Sequence, residues 1–124
     1  MEKVNTSPKG KFAGAVFRVL AWLLVACIVA QTFIAGMALF QDSTHWKAHV
    51  LFVHFFEVVP LLMLVFAFAG RLPVRTRWLS LALFGLIFIQ YMTANLPAAG
   101  AMHPVIALAL IVLSLHVARR PAGV

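Results

Sequence analysis

Four long apolar runs, separated by short polar or proline- and glycine-containing connections, occupy the chain from about residue 14 to residue 119. Each run is long enough to cross a hydrocarbon layer, for which a helix needs about 20 residues. Only a helix satisfies all of its own backbone N–H and C=O groups within one such segment. The pattern predicts helical spans over 14–40, 47–69, 77–96 and 101–119. Connections over 41–46, 70–76 and 97–100 are so short that neighbouring spans must run antiparallel. The expected fold is therefore all-α: a membrane-spanning up-down-up-down four-helix bundle, forming one domain over 13–120. Pro60 falls inside the second span and is expected to kink it, because its nitrogen carries no proton for the carbonyl one turn back. An arm over 1–12, rich in Lys, Ser, Pro and Gly, is expected to lack order, and a short tail covers 121–124.

Composition excludes a water-exposed alternative. Hydrophobic residues make up 64% of the chain and charged residues 10%, and the mean hydropathy is +1.01, so there is too little polar surface to clothe a soluble domain. The net charge of +7 would suit nucleic acid, but the Lys and Arg residues sit at the ends and connections. No basic face interleaved with aromatics can form, and no nucleic-acid partner is expected. The single cysteine, Cys27, lies in an apolar run and reads as a small core residue. A basic leader ahead of an apolar stretch also describes a signal peptide. Here, however, the stretch from Val19 to Phe40 is twenty-two residues long, against about 7–15 for a signal core, so an uncleaved span is expected.

Charge also sets an expected orientation, since Lys and Arg near helix ends are retained on the cytoplasmic side. Lys3, Lys9, Lys11, Arg18, Arg71, Arg75, Arg77, Arg119 and Arg120 fall on one side of the four-span topology, and only Lys47 falls on the other. Both termini are expected to be cytoplasmic, in the cell inner (plasma) membrane.

Polar side chains inside spans are costly and usually face a partner or a cavity. Gln31 and Thr32 in the first span, His49, His54 and Glu57 in the second, Gln90, Thr93 and Asn95 in the third and His103 in the fourth all lie within about 15 Å of the outer helix ends at ~1.5 Å rise per residue. The inner half holds only Ser80, Ser114 and His116. The two hairpins also run in parallel: Gln31 is followed by His49, and Gln90 by His103. This hints at a repeat that presents the two histidines across a pseudo-twofold axis.

Two imidazoles entering a bundle from diagonal helices are what a bis-histidine haem requires, one nitrogen on each face of the porphyrin. His49 and His103 are the candidate metal ligands; His54, Glu57, Gln31 and Gln90 are candidate cofactor-binding residues. Phe33, Gly36, Phe52, Phe56, Tyr91 and Ala94 are candidate walls. No CxxCH occurs, so a haem here would be non-covalent haem b. His54 is turned about 140° from His49 on the same helix and needs another role. His54 and Glu57, three residues apart, share a face and can orient a ligand or relay a proton. Glu57 also suits a rival reading, a small proton-coupled transporter; a third is a cofactor-free accessory subunit of a larger membrane complex. No nucleophile motif, phosphate-binding loop or second buried acid marks an enzyme. The expected partners are the lipid bilayer and a membrane redox partner or further copies of the chain.

The segment from Gln31 to Phe40, the residues Trp46, Ala48 and His49, the run Gly70, Arg71, Leu72, Pro73, and the run His103, Pro104, Val105 together resemble a family of small four-span bacterial membrane proteins described only as a domain of unknown function. The resemblance covers the chain from about Val19 to Arg120. Where such relatives tend to read His-Pro-Val-Asn-Ala, this chain has Ile106 in place of Asn, which removes a hydrogen-bonding group. More distantly, the arrangement is similar to four-helix b-type cytochromes and haem A synthase halves, which implies histidines at outer helix ends.

Overall fold

The computed structural model describes residues 6–120, and among these the chain is helical with short turns and no strand. The first helix, α1 (Pro8–Phe40), starts ahead of the expected span because Ser7 and Pro8 form a start signal. The Ser7 hydroxyl accepts from the Gly10 N–H at 3.1 Å, and Pro8 occupies the first turn, where no N–H is needed. Residues 8–12 of the arm expected to lack order are thus helical; residues 1–5, with Lys3, and the tail 121–124 lie outside the described residues.

The second span is divided into α2 (His45–Phe56) and α3 (Val58–Ala69), interrupted at Glu57. The interruption falls one turn before Pro60, which cannot donate to the Phe56 carbonyl. The third span is α4 (Val74–Asn95); a single 3-10 turn over Pro97–Ala99 leads into α5 (Met102–Arg119). Pro104 sits in the first turn of α5, where a missing N–H breaks no helical bond.

Four helices, Pro8–Phe40, His45–Ala69, Val74–Asn95 and Met102–Arg119, are long and apolar enough to cross a membrane, and the chain is a multi-pass membrane protein. Around the bundle α1 packs on α2 and α3 on one side and on α5 on the other, while α4 packs on α3 and α5. The second and fourth spans are therefore diagonal to one another. Leu24, Met63, Ala67 and Leu83 fill the core with almost no exposed surface. Large apolar side chains such as Phe12, Phe40, Phe55, Trp78 and Phe88 cover the outside, as a bilayer requires. Ser80 and Ser114 are buried between the spans, and the Ser80 hydroxyl returns its proton to the Thr76 carbonyl at 2.8 Å.

The turn between α3 and α4 is closed by the Leu72 N–H bonding back to the Ala67 carbonyl at 3.0 Å, which places Arg71 at φ 49°. An L side chain at that angle crowds its own carbonyl. Arg71→Gly is expected to raise stability by about 1 kcal/mol, read as a higher midpoint of thermal unfolding in detergent. Arg77, one turn into α4, donates from Nε to the Leu72 carbonyl at 2.9 Å and lies over the Phe68 ring, which fixes the same corner.

Candidate functional site

The structure brings His49 of α2 and His103 of α5 together across the bundle, their ring centres 6.4 Å apart and their planes at 63°. Each ring is held by the preceding span. His49 Nδ1 lies 3.2 Å from the Gln31 carbonyl of α1, and His103 Nδ1 lies 3.1 Å from the Gln90 carbonyl of α4. A carbonyl only accepts, so Nδ1 carries the proton in both rings and Nε2 keeps its lone pair. The Gln31 side chain completes a reciprocal clamp by donating from Nε2 to the His49 carbonyl at 2.8 Å. On the other hairpin Thr93 plays the supporting part. Its hydroxyl donates to the Gln90 carbonyl at 3.0 Å and lies 3.1 Å from His103 Nδ1, positioned to accept that proton. Trp46 packs edge-on against His49 at 5.5 Å.

The glutamine amides leave a residue of unmet polarity. Gln31 Oε1 and Gln90 Oε1 are both buried and have no hydrogen-bond partner. Equivalent atoms on the two hairpins share this state, beside the two imidazoles. Burying such an acceptor without a donor costs about 1–3 kcal/mol.

Local structure explains the placement. Asp42 and Thr44 close the connection ahead of α2, with the Thr44 N–H donating to Asp42 Oδ1 at 2.8 Å. That bond, with the Thr44 hydroxyl, holds the exposed Asp42 carboxyl below its ordinary range. The turn starts α2 at His45, so His45 and Trp46, expected in the connection, belong to the helix. His49 then lies one turn in. His103 stands in the first turn of α5, its N–H bonded to the Gly100 carbonyl at 3.1 Å.

His54 and Glu57 form a second group with Tyr91 of α4. The Tyr91 hydroxyl donates to Glu57 Oε2 and lies 3.1 Å from His54 Nδ1. Because the single hydroxyl proton points at the carboxylate, His54 Nδ1 supplies the proton of the other bond. The His54 ring stacks on Tyr91 at 5.7 Å, and Nδ1 is 3.5 Å from Glu57 Oε1. This group ties the second span to the third and stays about half-exposed, with 54% of the His54 side chain and 41% of the Glu57 side chain accessible. Tyr91→Phe leaves both partners short of a bond. It is expected to cost about 1–3 kcal/mol of stability, measured by thermal unfolding, with the His49 and His103 environment unchanged in their imidazole NMR signals.

The candidate walls divide. Phe56 is buried in the core, and Phe52 packs on it at 5.3 Å. Gly36 is half-buried, and the place of a missing Cβ meets nothing within 4 Å. Phe33, by contrast, is 67% exposed and is no wall: two residues past Gln31, it points about 200° away around α1. Ala94, in the last turn of α4, is exposed as well. Tyr91 is engaged with Glu57 and His54, a role the sequence reading did not give it. The signal was there: it is the chain's one tyrosine, and it falls inside a span. Thr32 bonds its own helix at the Ile28 carbonyl, and Asn95 bonds the Tyr91 carbonyl. His116 lies at the other end of α5.

The sequence pattern of a family described as a family of unknown function matches residues 31–99, more than half of the chain. The matched stretch opens on Gln31, takes in His49, His54, Glu57, Gln90 and Tyr91, and closes just ahead of His103. No curated protein and no solved structure matches the chain.

Proposed function

The chain belongs to DUF6220, a family of unknown function, and on the geometry of its paired histidines we propose that it holds one b-type haem between His49 and His103, for electron transfer or haem handling. The supporting observation is the pair itself: two imidazoles from diagonal spans, each with Nδ1–H given to a carbonyl of the neighbouring span and Nε2 left as a ligand atom. Imidazoles that bind metals are typically oriented in this way by an outer hydrogen bond.

The donor set fits haem better than a bare ion. Among the described residues no group of three or more His, Cys, Asp or Glu side chains is gathered to hold a metal, whereas a protein zinc site takes three or four such ligands. Haem iron brings four equatorial nitrogens and asks the protein for axial ligands only. The two imidazole centres lie 6.4 Å apart, so His49 and His103 are the residues that would hold the group.

When bound, haem supplies a one-electron couple whose potential depends on its axial ligands and surroundings. The chain's own residues set those surroundings. The Gln31 and Gln90 carbonyls fix the tautomers, Thr93 holds His103 in line, and Trp46 packs edge-on against the His49 ring. His54, Glu57 and Tyr91 hold a proton among Nδ1, the carboxylate and Oη. The distribution of Lys and Arg supports cytoplasmic termini and an inner (plasma) membrane location, with the histidines toward the opposite face.

Titration of the detergent-solubilised chain with ferric haem tests the proposal. Saturation at one haem per chain with a six-coordinate spectrum is the expected result; uptake with no saturable stoichiometry would refute it.

A further inference from the structure

The end of the bundle opposite the histidines carries an open pocket of about 460 Å³ lined by Val112, Leu115, His116, Arg119 and Arg120. Two guanidinium groups and an imidazole thus share one concavity with two aliphatic side chains. The pocket does not stand alone. Val105, Leu108 and Val112 are each more than half exposed, and with His116 and Arg119 they follow spacings of three and four residues along a single face of α5. That face runs about 21 Å from Val105 to Arg119 at ~1.5 Å per residue, apolar along most of its length and cationic at its end. Other bases at this end come from the start of α1 (Lys9, Lys11 and Arg18) and from the α3–α4 corner (Arg71, Arg75 and Arg77), and none of these lines the pocket.

We propose that this pocket is a binding site for an anionic phospholipid, with the phosphate held by Arg119 and Arg120 and the acyl chains lying on the Val105, Leu108, Val112 face. The charge answers a phosphate, since a guanidinium presents several N–H donors in a planar fork that matches its oxygens. Basic pockets at the ends of membrane helices are a recurrent setting for such headgroups. The apolar stripe decides for an amphiphile over free phosphate, because an inorganic ion would leave it unused. His116 and Arg119 also complement the carbonyl end of the α5 dipole. That role needs neither the pocket nor the stripe, and it does not distinguish one lipid from another.

The test is native mass spectrometry of the purified full chain in detergent, with dioleoyl phosphatidylglycerol and dioleoyl phosphatidylcholine supplied at equal concentration. The expected result is preferential retention of phosphatidylglycerol, reduced by about tenfold or more in R119Q/R120Q and retained in R75Q, which removes a charge at the same end but outside the pocket. Inorganic phosphate at millimolar concentration is expected not to displace the lipid. Equal retention of the two lipids, or unchanged retention in R119Q/R120Q, would overturn the site. An equal loss in R75Q would reduce the effect to general charge attraction, and displacement by phosphate would make it an anion site without lipid specificity. Circular dichroism of R119Q/R120Q confirms that the helices persist, so a loss of lipid is read from a folded chain.

Discussion

Replacing His49 or His103 with alanine is expected to convert six-coordinate, low-spin haem into a five-coordinate, high-spin form, and replacing both is expected to abolish binding. Each ring offers one free nitrogen, Nε2, because Nδ1 is committed to the Gln31 or the Gln90 carbonyl. Losing an outer hydrogen-bond partner of a metal ligand typically lowers affinity about 10- to 100-fold, and losing the ligand itself should exceed that. Thr93→Val, which removes the hydroxyl beside His103 Nδ1 but leaves the ligand, should fall at the lower end, about tenfold. His54→Ala separates the two histidine groups, since the contacts of His54 run to Tyr91 and Glu57. It is expected to leave the low-spin spectrum intact. Haem titrations followed by absorption spectroscopy place all five variants on one scale.

Gly70→Ala should produce the largest loss of stability from a single methyl group. Gly70 caps α3 where that helix runs against the start of α1, whose facing positions Gly10, Ala13 and Gly14 are small and buried. A Cβ on residue 70 would overlap the Ala13 methyl and stand 2.7 Å from the Phe66 carbonyl oxygen. Neither neighbour is the end of a flexible side chain. The two helices would have to separate, and close approach of this kind is what small residues provide between membrane helices, where there is no water to expel. Overpacking of a tight contact costs about 1–3 kcal/mol, and the upper part of that range is expected. Adding Ala13→Gly should restore part of the loss by removing the methyl but not the carbonyl contact. Gly85→Ala is the control: nothing lies within 4 Å of its added Cβ, so it should be neutral or mildly stabilising by helix propensity. Thermal unfolding in detergent reads all three.

The architecture was legible because bilayer physics leaves few alternatives. Twenty-residue apolar runs joined by a handful of residues can only stack antiparallel, and Pro60 announced the break that falls at Glu57. Helix ends were less legible, since they depend on caps: Ser7 with Pro8 carries α1 two turns past the hydrophobic boundary, and the Asp42–Thr44 turn starts α2 at His45. Within the site, the Gln31–His49 and Gln90–His103 pairs could be anticipated from their common order in the two hairpins, although the separations of eighteen and thirteen residues are unequal. The structure reconciles them through the connection: α1 continues past Gln31 to Phe40, whereas α4 ends at Asn95, soon after Gln90. What the sequence hid were contacts between spans with no fixed spacing. Tyr91 meets Glu57 from 34 residues away, and Phe33 turns outward although it neighbours a site residue. Helical angle decides the second case, and only the packing of the second span against α4, made mainly by α3, decides the first.

Convergence of two imidazole nitrogens on one iron is tested most directly by the absorption spectrum of the protein isolated from membranes, recorded oxidised and then reduced with dithionite. A Soret band that shifts on reduction and a sharp low-spin α band, both lost in the His49→Ala, His103→Ala double variant, are predicted. A colourless preparation that stays colourless after equimolar haem is added would contradict the account.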